Sequence, residues 1–183
     1  MAQVRRIVVG DGEAGQPEIF SDGPSPDIRG DAARPGFAMT RIWVTEDTPA
    51  PVRGVRETLH LPHTIEPPVD GSVCRFVTIP PDRSWLGGID EDKVRKFFAE
   101  MGSPDACHNA ADAPHPYMQR TETLDYVYVL EGSVTLVLDT EEVALQEGDS
   151  VVQRGARHAW SNRGTAPCRL VISSHHGSYD RES

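Results

Sequence analysis

The sequence predicts an all-β domain carrying one short α-helix. From Tyr117 onward, short runs rich in β-branched and aromatic residues recur, separated by Gly, Asp and Asn turn signals. The chain holds 15 prolines and 16 glycines in 183 residues, a density of chain reversals that favours short strands over long helices. Only Glu91 to Met101 has a convincing helical period. The length suits one domain with elaborated ends better than two domains.

The opening of the chain, rich in Gly, Pro and Asp between Asp11 and Pro68, offers two strand-like islands, Val4 to Val9 and Phe37 to Thr45. Ser72 to Ile79 reads as a further strand, stopped by Pro80 and Pro81 because proline has no N–H for the ladder. In the predicted helix, Asp90 supplies an N-cap oxygen, Glu91 and Asp92 suit the positive end of the dipole, and Gly102 ends it. Val94, Phe97, Phe98 and Met101 share one face of that helix and are read as packing. The later strands are Leu124 to Leu130, Ser133 to Leu138, Val143 to Leu145, Ser150 to Gln153, His158 to Ser161 and Arg169 to Ser173. Strands so short and so evenly spaced form a sandwich or a barrel.

Composition narrows the partners. The formal net charge is -10 and the charge clusters are acidic, as at Glu141, Glu142, Glu147 and Asp149, so nucleic acid and anionic membrane are not expected to bind. No window has the apolar length to span a bilayer, and Met1 to Gly10 carries Arg5 and Arg6 without the apolar core of a signal peptide. Cys74, Cys107 and Cys168 lie far apart with no CxxC pair, as expected of reduced thiols. A cytoplasmic protein is the expectation.

Two motifs stand in order. The first is Tyr128-Val-Leu-Glu-Gly132; the second joins Gly148 and Asp149 to His158-Ala-Trp-Ser-Asn162, with fifteen residues between Gly132 and Gly148. Together, over Pro114 to about Ser174, they resemble the cupin superfamily and in particular its small, single-domain, conserved-barrel members. The resemblance implies a cupin β-barrel, a double-stranded β-helix or jelly roll. Residues 1–71 are then an N-terminal arm of strands and loops packing on the barrel or on a partner subunit, and residues 72–183 are the barrel, with its core motifs at 114–174. It also implies a homodimer formed through exchanged amino-terminal strands.

Family members place two histidines, a glutamate and a third histidine around one divalent metal such as Fe, Mn, Zn or Ni. Counted back from Gly132, those positions fall on Gln119, Thr121, Asp125 and His158, so the set is depleted to one imidazole and one carboxylate. If a metal binds, His158, Asp125 and Gln119 would hold it, with His115 as a replacement ligand. Strand alternation puts Gln119, Thr121, Asp125, Val127 and Val129 on one face and Tyr126 and Tyr128 on the other.

A buried Asp beside an imidazole is a usable acid-base pair, which makes Asp125 and His158 the candidate catalytic residues. Tyr117, Gln119, Arg120 and Trp160 are the candidate substrate contacts, the aromatics as walls and the polar groups as anchors for an oxygen. His60 and His63 read as a solvated loop, His108 as a loop residue, and His175 and His176 as exposed. Gly155 and Asn162 are accounted for by turn chemistry. The expected ligand is a small organic molecule. The competing readings are a proton-transferring enzyme of isomerase, dehydratase, decarboxylase or lyase type, a metal-dependent oxygenase- or hydrolase-like cupin, and a binder without turnover.

Overall fold

The computed structural model describes residues 3–179, so the outermost residues of the arm and barrel ranges, 1–2 and 180–183, lie outside the described residues. Strands run in the order β1 (Arg5–Asp11), β2 (Pro17–Pro24), β3 (Ile28–Gly30), β4 (Ala38–Thr45) and β5 (Ser72–Ile79). Helix α1 (Glu91–Glu100) follows. Then come β6 (Thr123–Glu131), β7 (Ser133–Val137), β8 (Glu142–Gln146), β9 (Ser150–Arg154), β10 (Ala159–Ser161) and β11 (Cys168–His176). Every predicted strand is present to within a few residues. The sequence reading missed β2 and β3, because Pro17, Asp22, Gly23 and Pro24 read as turn chemistry, whereas β2 forms by laddering antiparallel onto β1.

The strands form a two-stranded hairpin (β1-β2), a three-stranded sheet (β10-β7-β8) and a six-stranded sheet (β3-β4-β5-β11-β6-β9). In the six-stranded sheet β11 is hydrogen-bonded antiparallel to β5 on one side and to β6 on the other. β4 pairs with β5 from Ala38 opposite Thr78 to Thr45 opposite Ser72, with a bulge between Arg41 and Trp43. The alternation read from sequence holds: Val73, Val77 and Ile79 of β5, Val127 and Val129 of β6 and Leu170 of β11 all face inward. All of these but Val73 meet Val134, Leu136, Leu145 and Trp160 of the small sheet in one continuous core.

Helix α1 caps this core. The Asp90 Oδ1 accepts the Asp92 N–H at 2.9 Å, the N-cap bond that the sequence predicts, and Gly102 takes φ +64 just past the end. Phe97 and Phe98 turn inward onto Tyr117, their ring centroids 5.9 and 6.3 Å from it.

His63 differs from the sequence expectation. Its side chain is buried, and its Nδ1 lies 2.9 Å from Asp27 Oδ1. The reason is Arg41, whose guanidinium donates to the carbonyls of Leu59, Leu61 and Pro62 and so draws the whole loop onto β4. His60 is exposed, as expected. Asn162 Oδ1 accepts the Gly164 N–H at 2.9 Å, the turn bond expected of it.

The register about β11 makes a test. Leu170 is fully buried and its neighbour Val171 faces the half-covered outer side. Leu170→Ala should lose about 2–5 kcal/mol in urea unfolding, and Val171→Ala no more than about 1 kcal/mol; a reversed order would mean the strand faces the other way.

Candidate functional site

The site begins with two backbone hydrogen bonds. Gln119 N–H donates to His158 O at 2.8 Å, and His158 N–H donates back to Gln119 O at 2.9 Å. Residues that exchange both bonds across an antiparallel pair project their side chains to the same side, so this bridge alone brings Gln119 and His158 together. Asp125 reaches the same interior from the six-stranded sheet, opposite Ser174 of β11 and Gln153 of β9. Strands distant in sequence therefore converge on one cavity of about 50 Å³, lined among others by Gln119, Asp125, His158, Trp160 and Arg75.

The His158 ring has a defined protonation pattern. Its Nδ1 sits 2.9 Å from the Ala156 carbonyl, which can only accept, so Nδ1 carries the proton and Nε2 offers its lone pair. Gln119 Nε2 lies 3.2 Å from that lone pair and donates to it. The turn that presents Ala156 is closed by Gln153, whose Oε1 accepts the Ala156 N–H at 3.1 Å. Burial pulls the His158 imidazole below its ordinary value, against smaller upward pulls from the Ala156 bond and the Asp125 charge. A neutral imidazole whose basic Nε2 accepts from the Gln119 amide is thus held inside the barrel.

Asp125 is buried, and its Oδ1 has no hydrogen-bond partner. The cation nearest in effect is Arg75 of β5, a residue the sequence reading overlooked. Burial draws the Arg75 guanidinium down to about 10, still charged at neutral pH, and the Asp125 charge opposes that fall. Arg75 Nη2 donates to the Ile65 carbonyl at 2.5 Å, while its Nε is buried without a partner. A signal for it exists in the sequence: in Ser72–Ile79, Arg75 occupies an inward position in an otherwise apolar alternation of Val73, Val77 and Ile79. Thr121 and Thr123 add hydroxyls, bonded to each other at 2.7 Å.

A second, largely apolar cavity of about 60 Å³ adjoins the first and shares Gln119, Trp160, Met39, Ile65 and Ile172 as walls. Tyr117 and Trp160 line it, as the sequence suggests, with Phe97 and Phe98 of α1 closing one side. Tyr117 O–H donates to Asp31 Oδ2 at 2.6 Å, and the Arg34 guanidinium lies 3.4 Å from the Tyr117 ring centroid.

Two candidates stand elsewhere. Arg120 is exposed, its Nε donating to the Tyr179 hydroxyl at 3.0 Å and its guanidinium 4.3 Å from that ring. The cause is alternation, since its neighbour Gln119 takes the inward position. His115 is buried outside this cavity, against Trp85: its Nδ1 accepts the Tyr117 N–H at 3.1 Å and its Nε2 lies 3.9 Å from Asp82. The turn closed by Met118 N–H on His115 O directs it there. His175 stacks edge-on against Tyr126, 5.5 Å away on the outer face.

This donor set does not fit a first-row divalent ion. Gln119 turns its amide nitrogen, which cannot ligate, toward the His158 lone pair, and His115 is not among the residues that line the cavity. Among the described residues no three His, Cys, Asp or Glu side chains are placed to share a metal ion.

Residues 109–174 match the family model described as Cupin domain. Phomopsin biosynthesis cluster protein C' of Diaporthe leptostromiformis is 33% identical over 147 residues, which span 75% of this chain and 70% of that protein. The cupin-domain-containing oxidoreductase virC of Hypocrea virens is 29% identical over 137 residues, 71% of this chain and 54% of its own. Among solved structures, the Schizosaccharomyces pombe Cnp3 cupin domain superposes with a TM-score of 0.47 at 8% identity, covering 96% of this chain and 89% of that one.

Burial pulls His115 down to about 4, opposed by the nearby Asp82 charge, and it lowers His158 as well. For such groups the unfolded chain binds more protons than the folded one between the folded and the ordinary value. Stability is therefore complete above about pH 6.5 and is lost as pH falls from there toward 4, by at most about 1.4 kcal/mol per group per pH unit. Melting temperatures measured from pH 8 to 4 should be flat and then fall, and His115→Gln should flatten part of the fall.

Proposed function

This chain belongs to the cupin superfamily, and from that premise we propose that it is an enzyme of small-molecule metabolism that moves a proton inside its barrel. Asp125 and His158 are the acid-base pair, and the reaction is of the isomerase, dehydratase, decarboxylase or lyase type. The observation that carries this reading is the pairing, in one cavity, of a neutral imidazole offering Nε2 with a carboxylate oxygen that has no partner. A substrate carbon acid next to a carbonyl gives its proton to one of them, and that protonated group returns it at a different position. Gln119, released from His158 when substrate enters, is placed to donate its amide N–H to the carbonyl oxygen as charge develops there. Trp160 and the aromatic cavity exclude water and hold the apolar part of the substrate. The name of the Diaporthe relative, a biosynthesis cluster protein, supports a substrate drawn from small-molecule metabolism.

A second reading, a divalent-metal-dependent cupin of oxygenase or hydrolase type, is favoured by the oxidoreductase name of the Hypocrea virens relative and opposed by the donor set around His158. A cytoplasmic location belongs to the proposal; no helix among the described residues is long and apolar enough to cross a membrane. So does a homodimer, supported by Ile7, Val9 and Ile19 exposed on the β1-β2 hairpin of the arm and by Tyr128 and Val152 on the outer sheet face.

The purified chain, offered a panel of ketones and β-keto acids in deuterium oxide, should exchange a carbon-bound proton next to the carbonyl, followed by NMR. Asp125→Asn and His158→Gln should each slow exchange by about 10²–10⁴-fold without loss of fold. Exchange indifferent to both changes would end the acid-base reading. Metal near one per chain, lost together with activity in His158→Ala, would replace it with the second. Sedimentation should give twice the 20.1 kDa chain mass; a monomer at micromolar concentration would refute the dimer.

A further inference from the structure

Among the residues that line the polar cavity, two buried polar atoms of opposite kind are left without a partner. Arg75 Nε is a donor without an acceptor, and Asp125 Oδ1 is an acceptor without a donor. Both residues are at least nine-tenths buried, at 3% and 7% exposure, and both line the same cavity of about 50 Å³. They do not satisfy each other, since each atom lacks any hydrogen-bond partner among the described residues. Register explains the arrangement. Arg75 on β5 lies opposite Ile172 of β11, and Asp125 on β6 lies opposite Ser174 of β11, so the two charges flank that strand one pleat apart on the inner face.

Leaving a donor and an acceptor unmade in a low-dielectric interior costs stability at both atoms, and a group that serves both removes both costs. A hydroxyl does this with a single oxygen: its O–H donates to Asp125 Oδ1 and its lone pair accepts from Arg75 Nε–H. A ketone, ether or carboxylate lacks the donor, and an ammonium lacks the acceptor. What the hydroxyl is attached to follows from the adjoining cavity, which Phe37, Phe97, Tyr117 and Trp160 line with flat aromatic faces and which meets the polar cavity at Gln119. Aromatic walls of this kind favour an unsaturated body against them.

We propose that Arg75 and Asp125 form a hydroxyl-recognition site and that the ligand of this barrel is a phenol or an enol, its hydroxyl between the two charges and its ring or conjugated body in the aromatic cavity. The proposal rests on reading the barrel interior as a small-molecule site and names the substrate class for it. Binding alone breaks no bond. If the proton moves, the ligand O–H bond breaks, an O–H bond forms on Asp125, and the resulting oxyanion stays beside the Arg75 guanidinium.

Phenol and toluene are nearly isosteric and differ in the hydroxyl, so they test this directly. A purely apolar cavity prefers toluene, because phenol would bury a hydroxyl without a partner. Titrated against the full chain at pH 7.5 by ligand-observed NMR, phenol should bind at least tenfold more tightly than toluene. Asp125→Asn, which preserves volume, should shrink that preference severalfold, and Arg75→Met should abolish it. Because Arg75→Met also frees the Ile65 carbonyl and is prone to unfold, the Asp125→Asn comparison decides the matter by itself. Equal or tighter binding of toluene, binding of neither compound, or a preference unchanged in Asp125→Asn would overturn the proposal. Phenol preference without proton exchange on any carbonyl substrate upholds this site and removes the enzyme reading. Exchange without phenol preference removes this site and leaves the enzyme reading standing.

Discussion

The antiparallel register of β11 between β5 and β6 is the constraint on which the interior depends. A strand has two faces and a side-chain period of two, so a slip of one residue on either side would turn Arg75 or Asp125 outward and bring their half-exposed neighbours in. Leu170, fully buried two residues from Ile172, holds that register by the apolar area it removes from water. The polar site is thus positioned by the same packing that stabilises the sheet. One further contact closes it from the opposite sheet, the reciprocal backbone pair of Gln119 and His158.

The barrel handles buried cations in three ways. Arg41 has Asp27 beside it at 2.6 Å and donates from its Nη atoms to three loop carbonyls, so its charge is paired. Arg34 pairs with Asp31 at 2.8 Å and lies against the Tyr117 and Phe37 rings. Arg75 has neither an adjacent carboxylate nor an aromatic cover, only backbone carbonyls, the Met39 sulfur and a charge across a cavity. In the first two a carboxylate lies directly against the guanidinium. The third leaves an unmet donor in the lining of the cavity that also holds an unmet acceptor, which is the pattern of a site that a ligand completes.

This arrangement also bears on the depleted ligand set. Where related barrels gather imidazoles around a cation, this interior presents one imidazole, already engaged by an amide N–H, together with a guanidinium from the neighbouring strand. A guanidinium keeps its charge through the working pH range and orients donors in a plane, so it can hold an oxyanion without any ligand set around it.

Local rules were sufficient for much of this. Alternation marked Asp125 and the inner face of β6, turn residues marked the ends of the later strands, the Asp90 cap and Gly102 bounded α1, and the two motifs marked the barrel and His158. These are short-range patterns of period and punctuation, which a chain carries wherever it folds. Partnership across the barrel was not legible in that way. That Gln119 presents its nitrogen, that His115 and Arg120 lie outside the cavity, that His63 is buried beside Asp27, and that Arg75 shares a cavity with Asp125 all depend on which strand lies beside which. Pairing between segments tens of residues apart is settled by the closing of the sheets, because only then do burial and backbone hydrogen bonding decide which polar atoms find a partner and which are left for a ligand.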